Sequence, residues 1–533
     1  MSDSSLRRSS GEGNYEGEVE RSEHSDTASF HSSLNTKTTL HIPPIPPPED
    51  ITLQREVLFV ACVCLSQLLT QAGVAQTMNP GVAIGKQFGV ENNEGEVSWF
   101  SAAFSFTVGT FILVSGRFGD MYGYKLMYII GFLWYGLLTI ITGFTAFSSS
   151  SIPFNVMRAL QGIGPAILMP NSQALIGHYY PDGKKKSICM CLFGAVAPGG
   201  CILGAIFSGL FTQLVWWPWA YWVAGIIYMV IALIGYSAIP KNILNSKTSG
   251  HDFLGTIFGI SGLALFNFAW NQGPNVGWDK PYVYILLIIG ILILVAFVFI
   301  ERRAKYPLVP PKVMQGDTGF ILGCIAAGWS SFGIWLYYTF RWSQLIDGDN
   351  YILSGVKLLP CLVFGFVAAF LAAFLLSRIP LSLVMFIAMC FFLAGLVIMG
   401  TRPVGQIYWA QKFVSLVITP FGMDCSFPTA CILISMAVPK SQQGIAGSLV
   451  STFVNYSILI GLGIAGTVEY YRTKGKHSNF DTEVLGMRNA FYMGMGLAGS
   501  GVLLSSLFMF KQLNKQRKNN LRAQETDNRE EKA

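Results

Sequence analysis

Two ionisable residues stand inside long apolar runs of this 533-residue chain, Arg158 and Asp424. A charge held in the middle of a membrane-length helix is costly and marks a pathway or a relay. Gln161 follows Arg158 at i+3 and Pro165 at i+7, so all three share a helical face, with Pro170, Asn171 and Gln173 further along. A guanidinium keeps its proton, so it can hold a carboxylate or an anionic or polar solute, or tune a neighbouring acid. The plainer alternative is a buried ion pair that only fixes helix packing. Asp424 lies within Thr419-Pro420-Phe421-Gly422-Met423-Asp424-Cys425-Ser426-Phe427-Pro428. Pro428 has no N–H, so the Asp424 carbonyl loses its helical partner, and a broken helix of this kind is tolerated where it lines a cavity. A carboxyl kept from water suits a proton carrier; the alternative is a protonated acid bonded to the next helix.

Softer candidates for a solute path are polar stripes. Gln67 and Gln71 are i, i+4 neighbours; Ser448, Ser451, Thr452 and Asn455 share a face; Asn267, Trp270 and Asn271 close one run, and Trp335, Tyr337 and Tyr338 close another. Stripes like these also bond helix to helix without touching any solute.

These residues need helices in lipid to carry them. The chain is 52% hydrophobic and 12% charged, about half the charge of a soluble domain, and its mean hydropathy is +0.47. That excludes a disordered chain, a collagen-like chain and an ordinary soluble enzyme. A bilayer core about 30 Å thick takes about 20 apolar residues of helix. Fourteen runs qualify, near 56–78, 97–117, 125–146, 152–176, 187–211, 218–239, 253–272, 281–300, 318–340, 352–376, 381–400, 406–436, 445–468 and 489–511. The fold class expected is all-α and polytopic.

An even number of spans puts both termini on one side, and basic residues in short loops choose it. Thirteen, among them Arg117, Lys125, Lys184, Lys185, Lys186 and Arg302, fall with the termini; eight, among them Lys86, Arg341, Arg402 and Arg488, fall opposite. Both ends are therefore expected in the cytosol. Residues 1–53 read as a disordered tail closing on Pro43-Pro44-Ile45-Pro46-Pro47-Pro48, and 512–533 as a second tail. Trp216-Trp217-Pro218-Trp219, at a span end, reads as an interfacial aromatic belt.

The net charge of +7 has no compact basic domain behind it, so no nucleic-acid partner is expected. The ten cysteines lie in or beside apolar runs and suggest neither disulfides nor a metal site. No P-loop, H-E-x-x-H or G-x-S-x-G occurs, and the six histidines fall in tails or loops, so neither an enzyme nor a cofactor is expected.

Between the second and third spans runs Gly116-Arg117-Phe118-Gly119-Asp120-Met121-Tyr122-Gly123-Tyr124-Lys125. Its glycines allow a sharp turn between close helix ends, and Asp120 is expected near the N-terminus of the third span, where the dipole favours an anion. Such a hinge can latch one conformation of two rocking bundles.

This loop resembles the G-x-[LF]-[AG]-D-x-x-G-x-[RK] signature of the major facilitator superfamily, with Met121 where arginine is usual. Met157-Arg158-Ala159-Leu160-Gln161-Gly162-Ile163-Gly164 resembles the fourth-span motif whose arginine is linked to proton coupling. Gly194-Ala195-Val196-Ala197-Pro198-Gly199-Gly200 with Gly204 resembles a degenerate fifth-span antiporter motif. Fourteen spans resemble the drug:proton antiporter branch. Trp217-Pro218-Trp219-Ala220, Asn267-Phe268-Ala269-Trp270-Asn271-Gln272 and Phe421-Gly422-Met423-Asp424 resemble a fungal subgroup of aminotriazole-resistance and boron-efflux transporters and low-affinity ammonium facilitators. The resemblance implies a six-helix bundle at 54–239, an extra helix pair with its linkers at 240–317 and a second bundle at 318–511. It implies a monomeric plasma-membrane exporter of small polar molecules, exchanging them for protons through Arg158 and Asp424. The alternative it leaves open is an ammonium or methylammonium facilitator of the same fold.

Overall fold

The computed structural model describes residues 51–91, 94–181, 183–240, 252–304, 307–309, 316–436, 443–475 and 479–530. The tail expected at 1–53 therefore lies almost entirely outside the described residues.

Every apolar run becomes a helix, because in hydrocarbon only the helix satisfies its own backbone. In chain order these are α1 (Leu53–Met78), α2 (Gly81–Phe88), α3 (Glu94–Tyr122), α4 (Tyr124–Phe144), α5 (Ile152–Tyr179), α6 (Lys184–Leu214), α7 (Pro218–Ala238) and α8 (Phe253–Val276). Then follow α9 (Pro281–Arg303), α10 (Thr318–Arg341), α11 (Tyr351–Val356), α12 (Leu359–Arg378), α13 (Leu381–Gly400), α14 (Gln411–Ser435), α15 (Gln443–Thr473) and α16 (Phe480–Glu530). Local sequence sets several starts. Proline at the first or second position opens α5, α7, α9 and α12, where its missing N–H is not needed. The side chains of Asp252 and Asn350 cap α8 and α11 by accepting from the Gly255 and Leu353 amides.

Among the described residues 13 segments are long and apolar enough to cross a membrane. Setting aside the short α2 and α11, the one long helix outside that set is α5, the carrier of Arg158. Its polarity is turned inward: Arg158, Gln161, Asn171 and Ser172 are all fully buried. It packs on α3 and α4.

One hydrophobic core is drawn from α1, α3, α4, α5, α6 and α7, around Tyr128, Phe132 and Tyr135. A second is drawn from α10 and α12 to α16, around Trp335, Phe392 and Leu416, and takes in Ala75 and Met78 of α1 and Ile202 and Ala205 of α6. The helix sets meet where α3 packs on α15 and α6 on α11 and α12. Outside them, α8 packs on α3, α15 and α9, and α9 leaves Ile285, Ile288, Leu292, Val295 and Phe299 exposed.

Several expectations change. Asp120 falls in the last turn of α3, because that helix runs on to Tyr122, rather than at the start of α4. The turn itself is Gly123, at φ 98°, a conformation that an L side chain resists. The Trp216–Trp219 segment is not a simple belt: Trp219 is 45% exposed, whereas Trp217 is 3% exposed and packed edge-on against Phe88, Phe154 and Tyr221. Despite Pro420 and Pro428, α14 stays continuous. His178 lies in the last turn of α5 rather than in a loop.

Helices α1 and α6 pack backbone against backbone. A Cβ built on Gly200 would strike the Leu68 carbonyl oxygen, and one on Gly204 that of Ala72. Both neighbours are backbone and cannot swing aside. Gly200→Ala is expected to cost about 1–3 kcal/mol through overpacking, read as a lower melting temperature of the purified protein. Gly194→Ala, with nothing within 4 Å of its Cβ position, is the matched control and leaves the melt unchanged.

Candidate substrate cavity and buried charges

Arg158 is 0% exposed and its donors are all directed at protein. Nε donates to the Phe100 carbonyl at 3.1 Å, Nη2 to the Gly73 carbonyl at 2.9 Å, and Nη1 to Gln161 Oε1 at 2.6 Å. The guanidinium also lies 4.4 Å from the centre of the Phe104 ring. Gln161 passes the chain on, donating to Thr139 Oγ1 at 2.7 Å. Among the described residues no carboxylate pairs with Arg158. In this conformation it ties α5 to α1 and α3, and through Gln161 to α4.

Asp424 sits elsewhere, half-buried on α14. Its Oδ2 is buried and takes no hydrogen bond from the described residues. It faces Gly365 of α12, whose Cβ position would be 3.0 Å from Pro198 Cγ and 3.7 Å from Asp424 Oδ2. The structure thus brings Asp424 and the fifth-span proline to one junction of α6, α12 and α14, and leaves Arg158 apart.

The remaining expected residues divide in the same way. Gly116, Gly119 and Asp120 end α3: Gly119 faces the Asn171 carboxamide and Gly116 the Pro170 ring of α5. Asp120 accepts from the Tyr124 hydroxyl at 2.6 Å and stands 3.8 Å from Arg117. Lys125 donates to the Ile239 carbonyl at 2.6 Å, at the end of α7. Gln67 is buried with Oε1 unbonded, and its i+4 neighbour Gln71 is half-buried. Trp335 donates to Ser415 at 2.8 Å, Trp270 to the Ile460 carbonyl at 3.2 Å, Asn455 to the Ser451 carbonyl at 2.9 Å and Asn267 to the Leu263 carbonyl at 3.0 Å. These bonds tie helices or close on their own turns.

Asn271, Tyr337 and Tyr338 of those stripes line a cavity. One of about 320 Å³ opens where α3 and α16 begin and α8, α10 and α15 end. A second, about 240 Å³, adjoins it beside α1 and α2, and the two share Tyr337, Arg341 and Glu483. At the centre is a cluster that the sequence did not reveal. Arg341 Nη1 donates to both Glu469 oxygens, at 3.0 and 3.2 Å, and Nη2 to Glu483 Oε2 at 3.2 Å. The Tyr338 hydroxyl donates to Glu469 Oε2 at 2.6 Å. Arg341 is 8% and Glu469 4% exposed. Arg341 is helical and buried rather than a loop residue, because α10 and α15 each run past their apolar stretch. The available signal was a charge beside paired tyrosines, Tyr337-Tyr338 with Arg341 and Glu469 with Tyr470-Tyr471.

A second knot forms at the same end. Lys412, 0% exposed, donates to Ser343 at 2.5 Å and Asp347 at 3.0 Å and stands 3.5 Å from Asp349. Arg402 joins Asp347 at 2.8 Å and Lys357 joins Asp349 at 2.5 Å. Lys412 was legible as a charge inside the run 406–436 and was missed beside Asp424.

Residues 62–461 match the model of the Major Facilitator Superfamily, and the chain belongs to that family of membrane transporters. It is 47% identical to the low affinity ammonium transporter of Saccharomyces cerevisiae, over 87% of this chain and 90% of that one. It is 39% identical to the efflux pump terJ of Aspergillus terreus, over 87% and 90%. It is 37% identical to the aminotriazole resistance protein of Saccharomyces cerevisiae, over 87% and 86%. The crystal structure of a peptide transporter, POT, in complex with sulfate shares the fold, with a TM-score of 0.61 at 13% identity, covering 86% and 94%.

Breaking one side of a buried ion pair costs about 3–5 kcal/mol. Asp347→Asn leaves Asp349 as the one carboxylate of the knot against Lys412, Lys357 and Arg402 and is expected to fall in that range. Lys412→Met leaves two acids facing two bases and is expected to cost less. Melting temperatures of the two variants give the order, and a reversed order contradicts this charge balance.

Proposed function

We propose that this transporter is a secondary active exporter of small polar molecules, driven by protons moving inward across the plasma membrane. The single observation that carries the coupling is the unbonded Asp424 oxygen at the junction of α6, α12 and α14. The carboxyl and Pro198 of the antiporter-like motif both border Gly365 of α12, so relative movement of α6 and α14 changes its hydration. A change of hydration between states is what lets one acid load and release a proton. In this reading residues 54–239 and 318–511 are the two bundles that rock, 240–317 is the extra pair, and both termini are cytosolic. Arg158 holds the first bundle together as a brace, and the 116–125 segment, turning at Gly123, is its hinge. The exporting direction is supported by the likeness to an efflux pump. The functional unit is taken as a monomer.

A facilitator of ammonium-like solutes is the second reading, favoured by the 47% identity to a transporter named for ammonium and by Ala197 within the fifth-span motif. Flux assays separate the two. In loaded vesicles or cells, collapsing the proton gradient is expected to abolish export, and Asp424→Asn is expected to lower gradient-driven export about tenfold or more, the lower end of what a positioned proton-transfer group contributes. Undiminished export in both experiments rejects proton coupling. Entry of labelled methylammonium without a pH gradient supports the facilitator instead.

A further inference from the structure

We infer that Asp252 and Glu301 hold one proton between them, and that this proton fastens the start of α8 to the end of α9. The site is distinct from the proton carrier proposed at Asp424 and lies on other helices. Each acid is anchored through one oxygen. Asp252 Oδ1 accepts from the Gly255 amide at 2.8 Å, and Glu301 Oε2 accepts from the Val309 amide at 3.0 Å. The other two oxygens, Asp252 Oδ2 and Glu301 Oε1, are buried and take no hydrogen bond from the described residues. They are turned to one spot, because a Cβ on Gly255 would strike both. Glu301 is 5% exposed and Asp252 is half-buried, so the Asp252 side is the one open to water.

Two ionised carboxylates cannot share so small a space away from water. One proton from water removes the conflict: an O–H on either acid donates to the facing oxygen of the other, and two negative charges become one. Both orphan oxygens are then satisfied by a single bond, as buried polar atoms require. The charged groups facing Glu301 from its neighbours are Asp252 of α8 and Arg117 of α3, among the described residues. Arg302 and Arg303 follow it on α9 and are exposed, and α15, which also packs on α8, carries no Asp, Glu, Lys, Arg or His before Glu469. Arg117 attracts Glu301 and also stands 3.8 Å from Asp120. Loss of the proton therefore sets like charges against each other in the α8–α9 joint and gives Arg117 a stronger claimant than Asp120. Because Arg117 and Asp120 belong to the 116–125 segment, the protonation of the pair is felt at the hinge.

The stabilisation is present where the pair keeps its proton and is lost as pH rises. Melting of the purified full-length protein is followed from about pH 5 to about pH 9, above the ordinary carboxylate range, with a chelator present. Wild type is expected to lose stability toward the alkaline end. Glu301→Gln keeps an oxygen for the Val309 amide and offers Asp252 an N–H at every pH. It is expected to melt above wild type at the alkaline end and to lose that part of the pH dependence. Asp252→Asn, which still caps α8 through its side-chain oxygen, is expected to do the same and serves should Glu301→Gln fail to fold. Infrared difference spectra between wild type and Glu301→Gln are expected to hold the deuterium-sensitive band of a protonated carboxyl, fading as pH rises. Arg117→Gln removes the cation that favours ionisation and is expected to move the wild-type transition to higher pH. The proposal is overturned if wild type and both amide variants run parallel across the range, or if both variants melt below wild type at the alkaline end. It is also overturned if added magnesium or calcium raises the alkaline melting temperature of wild type alone, which places a divalent cation between the acids. An unmoved transition in Arg117→Gln overturns the link to the hinge.

Discussion

A guanidinium with no carboxylate beside it can stay inside a bundle only if protein oxygen receives its donors. That requirement organises the first helices of this chain. Arg158 is met by backbone carbonyls on α1 and α3 and by Gln161. A helical carbonyl has a second lone pair to offer, so α1 and α3 keep their ladders while binding the cation. Gln161 extends the contact to α4. Four helices are thereby held at one depth by a group that cannot lose its charge. Small residues beside it let the backbones come close enough: a Cβ on Gly73 would strike the Tyr135 hydroxyl, and one on Gly162 the Phe104 carbonyl. Asp424 is held in the opposite manner, with one oxygen unbonded at a junction between helices of different cores. A group bonded on every side resists movement; a group left partly unbonded responds to it.

The two ionic knots share a helix. Arg341 ends α10, and Ser343 and Asp347 follow within and just after the π-helical turn Trp342–Ile346. A π turn inserts a residue into the helical register, so neighbours in sequence point to different partners. Arg341 faces α15 and α16, and Asp347 faces Lys412 and Arg402. Beside them, Gln344 donates to the Asn79 carbonyl at 2.6 Å and its side-chain oxygen at 2.9 Å, and Asn79 donates to the Ala205 and Tyr351 carbonyls. The end of α10 therefore contacts α1 and, through Asn79, α6, while its charges are committed to the other helix set. A shift of α10 along its axis must rearrange all three contacts at once. Such coupled breakage makes an element two-state rather than continuously deformable.

What the sequence made legible follows from the scale of each signal. Apolar length sums over twenty residues, so every long helix was found, α5 included, although its polar residues depress its hydropathy. Arg158 and Asp424 were found because a charge in the middle of an apolar run is conspicuous. Arg341 and Glu469 were not, because at a run's end a charge looks like solvent-facing loop. Burial there depends on how far a neighbouring helix overhangs, which is tertiary information. Trp217 shows the same limit from the apolar side: an aromatic at a span end is equally consistent with the interface or the core. Asp120 was misplaced by one turn because a helix boundary is set by glycine geometry, and Gly116, Gly119 and Gly123 all offered stops, of which only Gly123 is used.

Helices α8 and α9 have a structural role that their sequence alone did not suggest. Helix α8 bridges α3 and α15: Trp99 of α3 donates to Gln272, Trp270 donates to the Ile460 carbonyl, and Trp278, just beyond α8, donates to Thr467 of α15. Three indole N–H groups are thus satisfied across helices, each where an unmade bond in apolar surroundings is costly. Asn271, Pro274 and Asn275 then form one side of the larger of the two cavities, while α9 covers α8 and turns a largely apolar face outward. The pair therefore covers the α3–α15 seam on the side where the cavity's carboxylates lie.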